Sequence, residues 1–333
     1  MATMASPPGF ETRLSCPLCG HGGPRRLHAS PYTEDPVRSL VASSFADQGE
    51  VDWSLLEGVT FAVDQCLRCD LIYQVNAPDD AMLQVIYARM ISPASLDRYE
   101  RQLLTLDNFH RIAGEFTVLF ERLGKHPTEI RMLDFGMGHG RWARVARAMG
   151  ATVFATEIGE DKKRLARSIG VEVIEDAAID RMRFDLVHTE QVMEHLVHPG
   201  RDFARLAQAV EPGGLFKVAV PFRGRLDTLL PAKGPPLVAL FAAGGARAVP
   251  GDVEAFGAIQ PLEHLNAYGP KTIAWIAAET GLEIVAQTRR RSITIDTDGA
   301  LSLARGARRI GTELAKAAAR HRIGYYLLRR PAA

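Results

Sequence analysis

The stretch "LDFGMGHGRW", Leu133 to Trp142, sets three glycines at alternate positions behind an apolar run that ends in an acid. Glycine weakens strands and helices, so three together call for a turn that a bulkier residue would obstruct. The residues before it, "IRMLDF", read as a strand, and "GRWARVARAMG" after it reads as a helix. Gly136, Gly138 and Gly140 therefore occupy a strand-to-helix turn, where backbone can approach a ligand and the first helical amides are free. A dinucleotide turn has the spacing GxGxxG, but here the spacing is GxGxG and Arg141 fills the place of the small sixth residue. Asp134, just ahead, would repel a pyrophosphate and attract an ammonium group. Phosphate is disfavoured.

Working outward, strands ("TVFATE", "VEVI", "FDLVHT", "GLFKVAVP") alternate with helices ("EDKKRLARSIG", "RDFARLAQAV"). A last helix, "GPKTIAWIAAETG", and the strands "LEIVAQ" and "IGYYLLRR" complete the pattern. This rhythm predicts an α/β fold with a doubly wound, mostly parallel, seven-stranded sheet. The second strand ends in Glu157, where a carboxylate can accept both hydroxyls of a ribose. Asp176, after the third strand, stands at the next loop of the same edge and can meet an adenine amine. The inferred ligand has a cationic amino-acid end, a ribose and a base.

The four cysteines come as "CPLCG" (Cys16, Cys19) and "CLRCD" (Cys66, Cys69). CxxC twice is the arrangement that closes a tetrahedral Zn2+ site of four thiolates. Two disulfides or a redox pair are the rival reading, but a chain of 333 residues with 47% apolar content does not need such staples. Residues 1–75 are thus expected to form a zinc-binding module and 76–125 a helical linker or lid. Residues 126–333 are then the ligand-binding domain, with a Gly-, Ala- and Pro-rich substrate-pocket insertion at about 222–262. Leu103, Leu106, Phe109, Ile112, Phe116, Leu119 and Leu123 recur on one helical face, which predicts a core-facing stripe. A net charge of +1 recommends neither nucleic acid nor membrane as a partner. The basic stretch "GALSLARGARRIGTELAKAAARH" reads as a solvated helix face. No secretory signal or spanning segment is evident, so a soluble cytoplasmic protein is expected.

"LDFGMGHGRWARVARAMGATVFATEIG", "FDLVHTEQVMEHLVHP" and "EPGGLFKVAVP" together resemble the class I S-adenosylmethionine-dependent methyltransferases, small-molecule type, over roughly residues 125–290. The resemblance implies that the glycine loop with Asp134 holds the methionine portion of the cofactor. It implies that Glu157, with Ile158 beside it, binds the ribose, and that Asp176 and Ala177 flank the adenine. His188, Thr189, Glu190 and Gln191 would line the methyl-donor end. "CPLCG … CLRCDLIY" is similar to the zinc module ahead of some bacterial methyltransferases, including sugar C-methyltransferases, where the metal is structural. Those relatives commonly carry a further C-terminal α/β domain, which is not expected here, and that weakens a sugar assignment.

Methyl transfer from a sulfonium is a displacement, so a base is needed only when the acceptor must lose a proton. Two runs offer one: "MEHLVHP" with His195, and "QPLEHLNAYGP" with Glu263, His264 and Tyr268. The resemblance assigns the second run to substrate handling and proton removal, and an imidazole titrates in the right range. Arg223 and Arg225 are candidates for gripping an anionic acceptor, with surface solvation as the plainer reading. A small-molecule methyltransferase is the expectation. An RNA or protein methyltransferase with the zinc module as reader, and a non-catalytic cofactor-binding scaffold, are the alternatives.

Overall fold

The computed structural model describes residues 6–233, 252–286, 303–304, 306–308, 310–311 and 324–332. The centre of the 222–262 insertion and most of the basic stretch after residue 299 lie outside these residues. Among the described residues the early strands are β1 (Phe10–Thr12), β2 (Arg25–Pro31), β3 (Thr60–Gln65), β4 (Ile72–Gln74) and β5 (Asn76–Pro78). Next come β6 (Arg131–Phe135), β7 (Thr152–Thr156), β8 (Glu172–Val173), β9 (Phe184–Glu190) and β10 (Val210–Ala219). The last are β11 (Asn266–Ala267), β12 (Glu283–Ala286) and β13 (Tyr325–Arg329). They divide between two compact units: residues 1–101, 191–204 and 219–280 form the first, and 102–190, 205–218 and 281–333 the second.

The second unit carries a sheet of order β12-β13-β10-β9-β6-β7-β8. β6 pairs in parallel with β7 and β9, and β7 with β8, whereas β12 and β13 are antiparallel. The mostly parallel seven-stranded sheet expected from the alternation is present. Its inner strands read as nearly continuous apolar runs because both faces are covered. The helix Leu106–Leu123 starts where the Thr105 hydroxyl accepts from Asn108 N at 3.2 Å, and it stops at Gly124 in the left-handed region. Of the expected stripe, Ile112, Phe116 and Leu119 are buried, with Phe120, in a core shared with Met132, Trp142, Val153 and Leu186. Phe109 and Leu123 pack against it, but Leu106 in the first turn is 76% exposed. Each of the buried side chains contributes about 1.5–3 kcal/mol on burial.

The first unit holds a sheet of order β11-β4-β3-β2, antiparallel throughout, and the antiparallel pair β1–β5. Apolar residues of the N-terminal stretch (Phe10, Tyr32, Phe45, Phe61, Met82) share one core with Leu226, Leu229, Phe256 and Leu262 from far along the chain. Distant segments therefore stabilise one another here, and β11 ties residues 266–267 to β4 by register.

Candidate functional site

In the second unit the glycine turn follows β6. Gly136, Gly138 and Gly140 all have positive φ (69°, 59° and 69°), which a side chain rarely tolerates. A Cβ on Gly138 would meet nothing within 4 Å, whereas one on Gly140 would press on Ile169 and Met137 at 3.3–3.4 Å. Gly138 thus leaves open room against the backbone, and Gly140 permits close packing where the helix Arg141–Ala148 begins. β7 lies beside β6 in register, Phe135 opposite Thr156, so Glu157 emerges next to the turn. One Glu157 oxygen accepts from Gly138 N at 2.8 Å, and the other accepts from Ile158 N at 2.8 Å and Gly159 N at 3.0 Å. A carboxylate so anchored stands at the same mouth as the turn amides. Ile158 itself is 95% exposed. Asp176, on the next loop, pairs with Arg205 at 2.5 Å, and Ala177 beside it is exposed.

Behind the turn lies a buried polar cluster. Asp134 accepts from His188 Nδ1 at 2.8 Å, which leaves His188 Nε2 to accept from Lys217 Nζ at 3.2 Å. Lys217 also pairs with Glu190 and, at 3.2 Å, with Glu115, and its ammonium lies 4.1 Å from the centre of the Trp142 ring. Burial alone would raise the Glu190 carboxyl, but Lys217 and His188 outweigh it and hold the group below its ordinary value. Tyr325 is pushed up, first by Glu190 and then by burial. Thr189 is fully buried, its hydroxyl 3.4 Å from Lys217 O. Sequence reasoning missed Lys217 and Glu115 and gave Asp134 no partner. The available signal was a basic residue inside an otherwise largely apolar strand, Lys217 in "GLFKVAVP" and His188 in "FDLVHT".

In the first unit Gln191 has φ 56° and donates from N to Ala219 O at 2.9 Å. The two proton-transfer candidates meet: the rings of His195 and His264 lie 4.8 Å apart, edge to face. His264 Nδ1 contacts Gly257 O at 2.5 Å, and because a carbonyl only accepts, the proton sits on Nδ1 and the lone pair on Nε2. Burial lowers the His264 value against that hydrogen bond. Burial, and then His264, push His195 down to about 3. Both rings are therefore neutral near pH 7. Glu263 accepts from Gln48 Nε2 at 3.2 Å and Gln260 Nε2 at 3.1 Å, and burial raises its carboxyl. Leu262, just ahead, is buried with φ 69°, a strained conformation for a branched residue and one found at functional sites. The Tyr268 hydroxyl is committed to Met193 O at 2.9 Å in a place that is 1% exposed. Arg223 is also committed: its guanidinium donates to Asp70 O at 2.9 Å and to the Asp70 carboxylate at 2.5 Å.

The four cysteines converge. Cys16 and Cys69 sulfurs are 3.5 Å apart, as are those of Cys19 and Cys66, and one sulfur from each residue lies within 4.8 Å of the others. A disulfide requires about 2.05 Å, whereas a tetrahedral zinc with bonds of about 2.3 Å places its thiolates nearly 4 Å apart. Arg68 N and Cys69 N both point at Cys66 Sγ at 3.4 Å, the amide pattern that supports a thiolate. The donor set fits a structural divalent metal.

A family model described as a methyltransferase domain matches residues 104–287, more than half of the chain. No curated protein matches. Solved structures with some likeness include DesVI of Streptomyces venezuelae, 20% identical with a TM-score of 0.32, over 37% of this chain and 56% of that one. An O-methyltransferase family protein of Burkholderia thailandensis is 15% identical with a TM-score of 0.37, over 68% and 58% respectively. The 1,6-didemethyltoxoflavin-N1-methyltransferase of the same organism, crystallised with 1,6-didemethyltoxoflavin and S-adenosylhomocysteine, is 15% identical with a TM-score of 0.43, over 80% and 98%. The chain thus spans less than two thirds of the length of the first two, and likenesses this weak carry no argument.

Proposed function

We propose, from the premise that this chain belongs to the methyltransferase-domain family and is an S-adenosylmethionine-dependent methyltransferase, that its acceptor is a small molecule. The observation that carries the reading of the donor site is Glu157. Its carboxylate is fixed by three backbone amides beside a glycine turn whose Gly138 leaves open space. A ribose diol can take over those hydrogen bonds, with Asp176 and Ala177 on the adenine side. Asp134, Glu115 and Glu190 set three carboxylates around two cations, Lys217 and Arg111, with His188 bridging Asp134 and Lys217. That balance favours a sulfonium with an ammonium tail over an anionic ligand. Thr189, Glu190 and Gln191 are assigned to that end of the cofactor.

The acceptor-side chemistry is assigned to Glu263, His264 and His195. The acceptor's nucleophilic atom attacks the methyl carbon, the carbon–sulfur electrons return to sulfur, and S-adenosylhomocysteine leaves. If the nucleophile carries a proton, His264 Nε2 has the free lone pair to receive it, because Gly257 holds the other ring proton. Tyr268 braces the Met193–His195 turn through its hydroxyl. Zn2+ on Cys16, Cys19, Cys66 and Cys69 supplies folding energy and no chemistry on the methyl group. Basic residues near the knuckles are few, and Arg26 is paired with Asp64 and Arg13 is buried, which disfavours a nucleic-acid reader. Among the described residues no helix is long and apolar enough to cross a membrane.

The test is transfer of a labelled methyl group from S-adenosylmethionine to a panel of small hydroxyl- and carbon-acid acceptors. Transfer to at least one is expected, falling about 10²–10⁴-fold in His264→Ala with cofactor affinity kept. Label entering RNA or protein and none of the panel would overturn the small-molecule assignment.

A further inference from the structure

One N-terminal side chain touches both histidine-bearing segments. Arg13 is three residues ahead of Cys16 and 5% exposed. Its Nε and Nη2 donate to Gln74 O at 2.9 and 2.5 Å, and Nη2 also donates to Leu265 O at 2.9 Å. Nη1 donates to Val197 O at 3.2 Å and to Asn266 Oδ1 at 3.0 Å. All five guanidinium N–H groups are thereby used. Every acceptor is a neutral oxygen, so no carboxylate offsets the buried charge directly, and burial lowers the arginine to about 10. Burying a cation on neutral acceptors is a costly way to gain stability that an apolar side chain would supply more cheaply. Geometry is the better account of why a guanidinium stands there.

The acceptors say which geometry. Val197 lies two residues after His195, and Leu265 and Asn266 directly follow His264. The same partners extend the tie. Asn266 Nδ2 donates to Leu196 O at 2.6 Å, Leu265 N to Glu194 O at 2.7 Å, and Gln74 Nε2 to His264 O at 2.9 Å. We propose that Arg13 is a positioning residue for the His195–His264 pair, its planar fork fixing the two segments against each other so that the imidazoles stay packed edge to face. The proposal rests on reading that pair as the acceptor-side group, and it assigns no contact between Arg13 and any ligand.

The experiment is ¹⁵N-edited NMR titration of the histidine rings in the full chain, zinc-loaded and saturated with S-adenosylhomocysteine. His195 is faced by His264, Glu194 and the Glu263 segment, so its midpoint reports whether that packing is closed. In Arg13→Met the His195 midpoint is expected to rise by more than one pH unit, a tenfold gain in proton affinity. Zinc content should be unchanged, and S-adenosylhomocysteine affinity should hold within about twofold. Loss of positive charge alone would also raise a nearby imidazole. Arg13→Lys, which keeps the charge and loses the fork, is therefore the deciding variant, and it should shift His195 in the same direction. Asn266→Ala removes one acceptor and serves if Arg13→Met does not fold. Wild-type titrations in both Arg13→Lys and Asn266→Ala would overturn the proposal. Failure of the wild type to bind S-adenosylhomocysteine would instead overturn the donor-site reading and leave the positioning result standing.

Discussion

Two polar clusters of this molecule are built on opposite electrostatic rules. The cluster behind the glycine turn links Asp134, His188, Lys217, Glu190 and Glu115 through hydrogen bonds and ion pairs, and Lys217 holds the Glu190 carboxyl below its ordinary value against burial. The His195–His264 pair is kept neutral by burial, and the Gly257 carbonyl orients His264. A site for a cationic donor calls for fixed charge that needs no rearrangement. A group that must take up a proton has to be uncharged beforehand. In the proposed reading the ion-paired cluster serves the cationic donor and the neutral imidazoles serve proton removal.

The comparison breaks most visibly if the metal centre is lost. Cys69→Ser, or a strong chelator, removes a centre of the kind that contributes on the order of 10–16 kcal/mol in small zinc peptides. The first unit should lose its cooperative unfolding transition while the seven-stranded unit keeps its far-ultraviolet dichroism. Unchanged melting without bound metal would refute the tetrahedral assignment. Next in size, Lys217→Met strands Glu190 and Glu115 in the interior and should cost about 3–5 kcal/mol in urea denaturation. A cost below about 1 kcal/mol would mean the cluster is not held by that ammonium.

The neutral pair responds to acid instead. His195 falls from an ordinary 6.5 to about 3 on folding, so its unfolded form binds the proton more tightly. Its contribution is complete above about pH 6.5 and is lost as pH falls toward 3. Because the side chain is 27% exposed, the acid-side loss should be on the order of 2 kcal/mol after solvent screening. His195→Gln should flatten that slope, and an identical slope would contradict a neutral His195. Smallest, Tyr268→Phe removes the buried hydroxyl's hydrogen bond to Met193 O and should cost about 1 kcal/mol by denaturation.

How much of this could be read from the chain depended on range. The glycine turn, Glu157 and the CxxC pairs declare themselves because their meaning is local: a turn needs certain φ values, and a tetrahedral site needs two short knuckles. The core-facing stripe Ile112, Phe116 and Leu119 was legible for the same reason. The partners of Asp134 were not, since His188 bridges Asp134 and Lys217 only when β6, β9 and β10 assemble. Nothing local marks Arg13, which stands three residues ahead of a metal knuckle while its acceptors lie at Gln74, Val197, Leu265 and Asn266. Arg223, a candidate for gripping an anionic acceptor, is instead committed to Asp70, distant in the chain.

The donor site is tested most directly by calorimetric titration of the zinc-loaded chain with S-adenosylhomocysteine and, separately, with NAD. The account predicts saturable S-adenosylhomocysteine binding that weakens by more than about tenfold, or 1.4 kcal/mol, in Glu157→Ala, and no heat with NAD. Binding of NAD alone, or affinity for S-adenosylhomocysteine that does not change when Glu157 is removed, would contradict it.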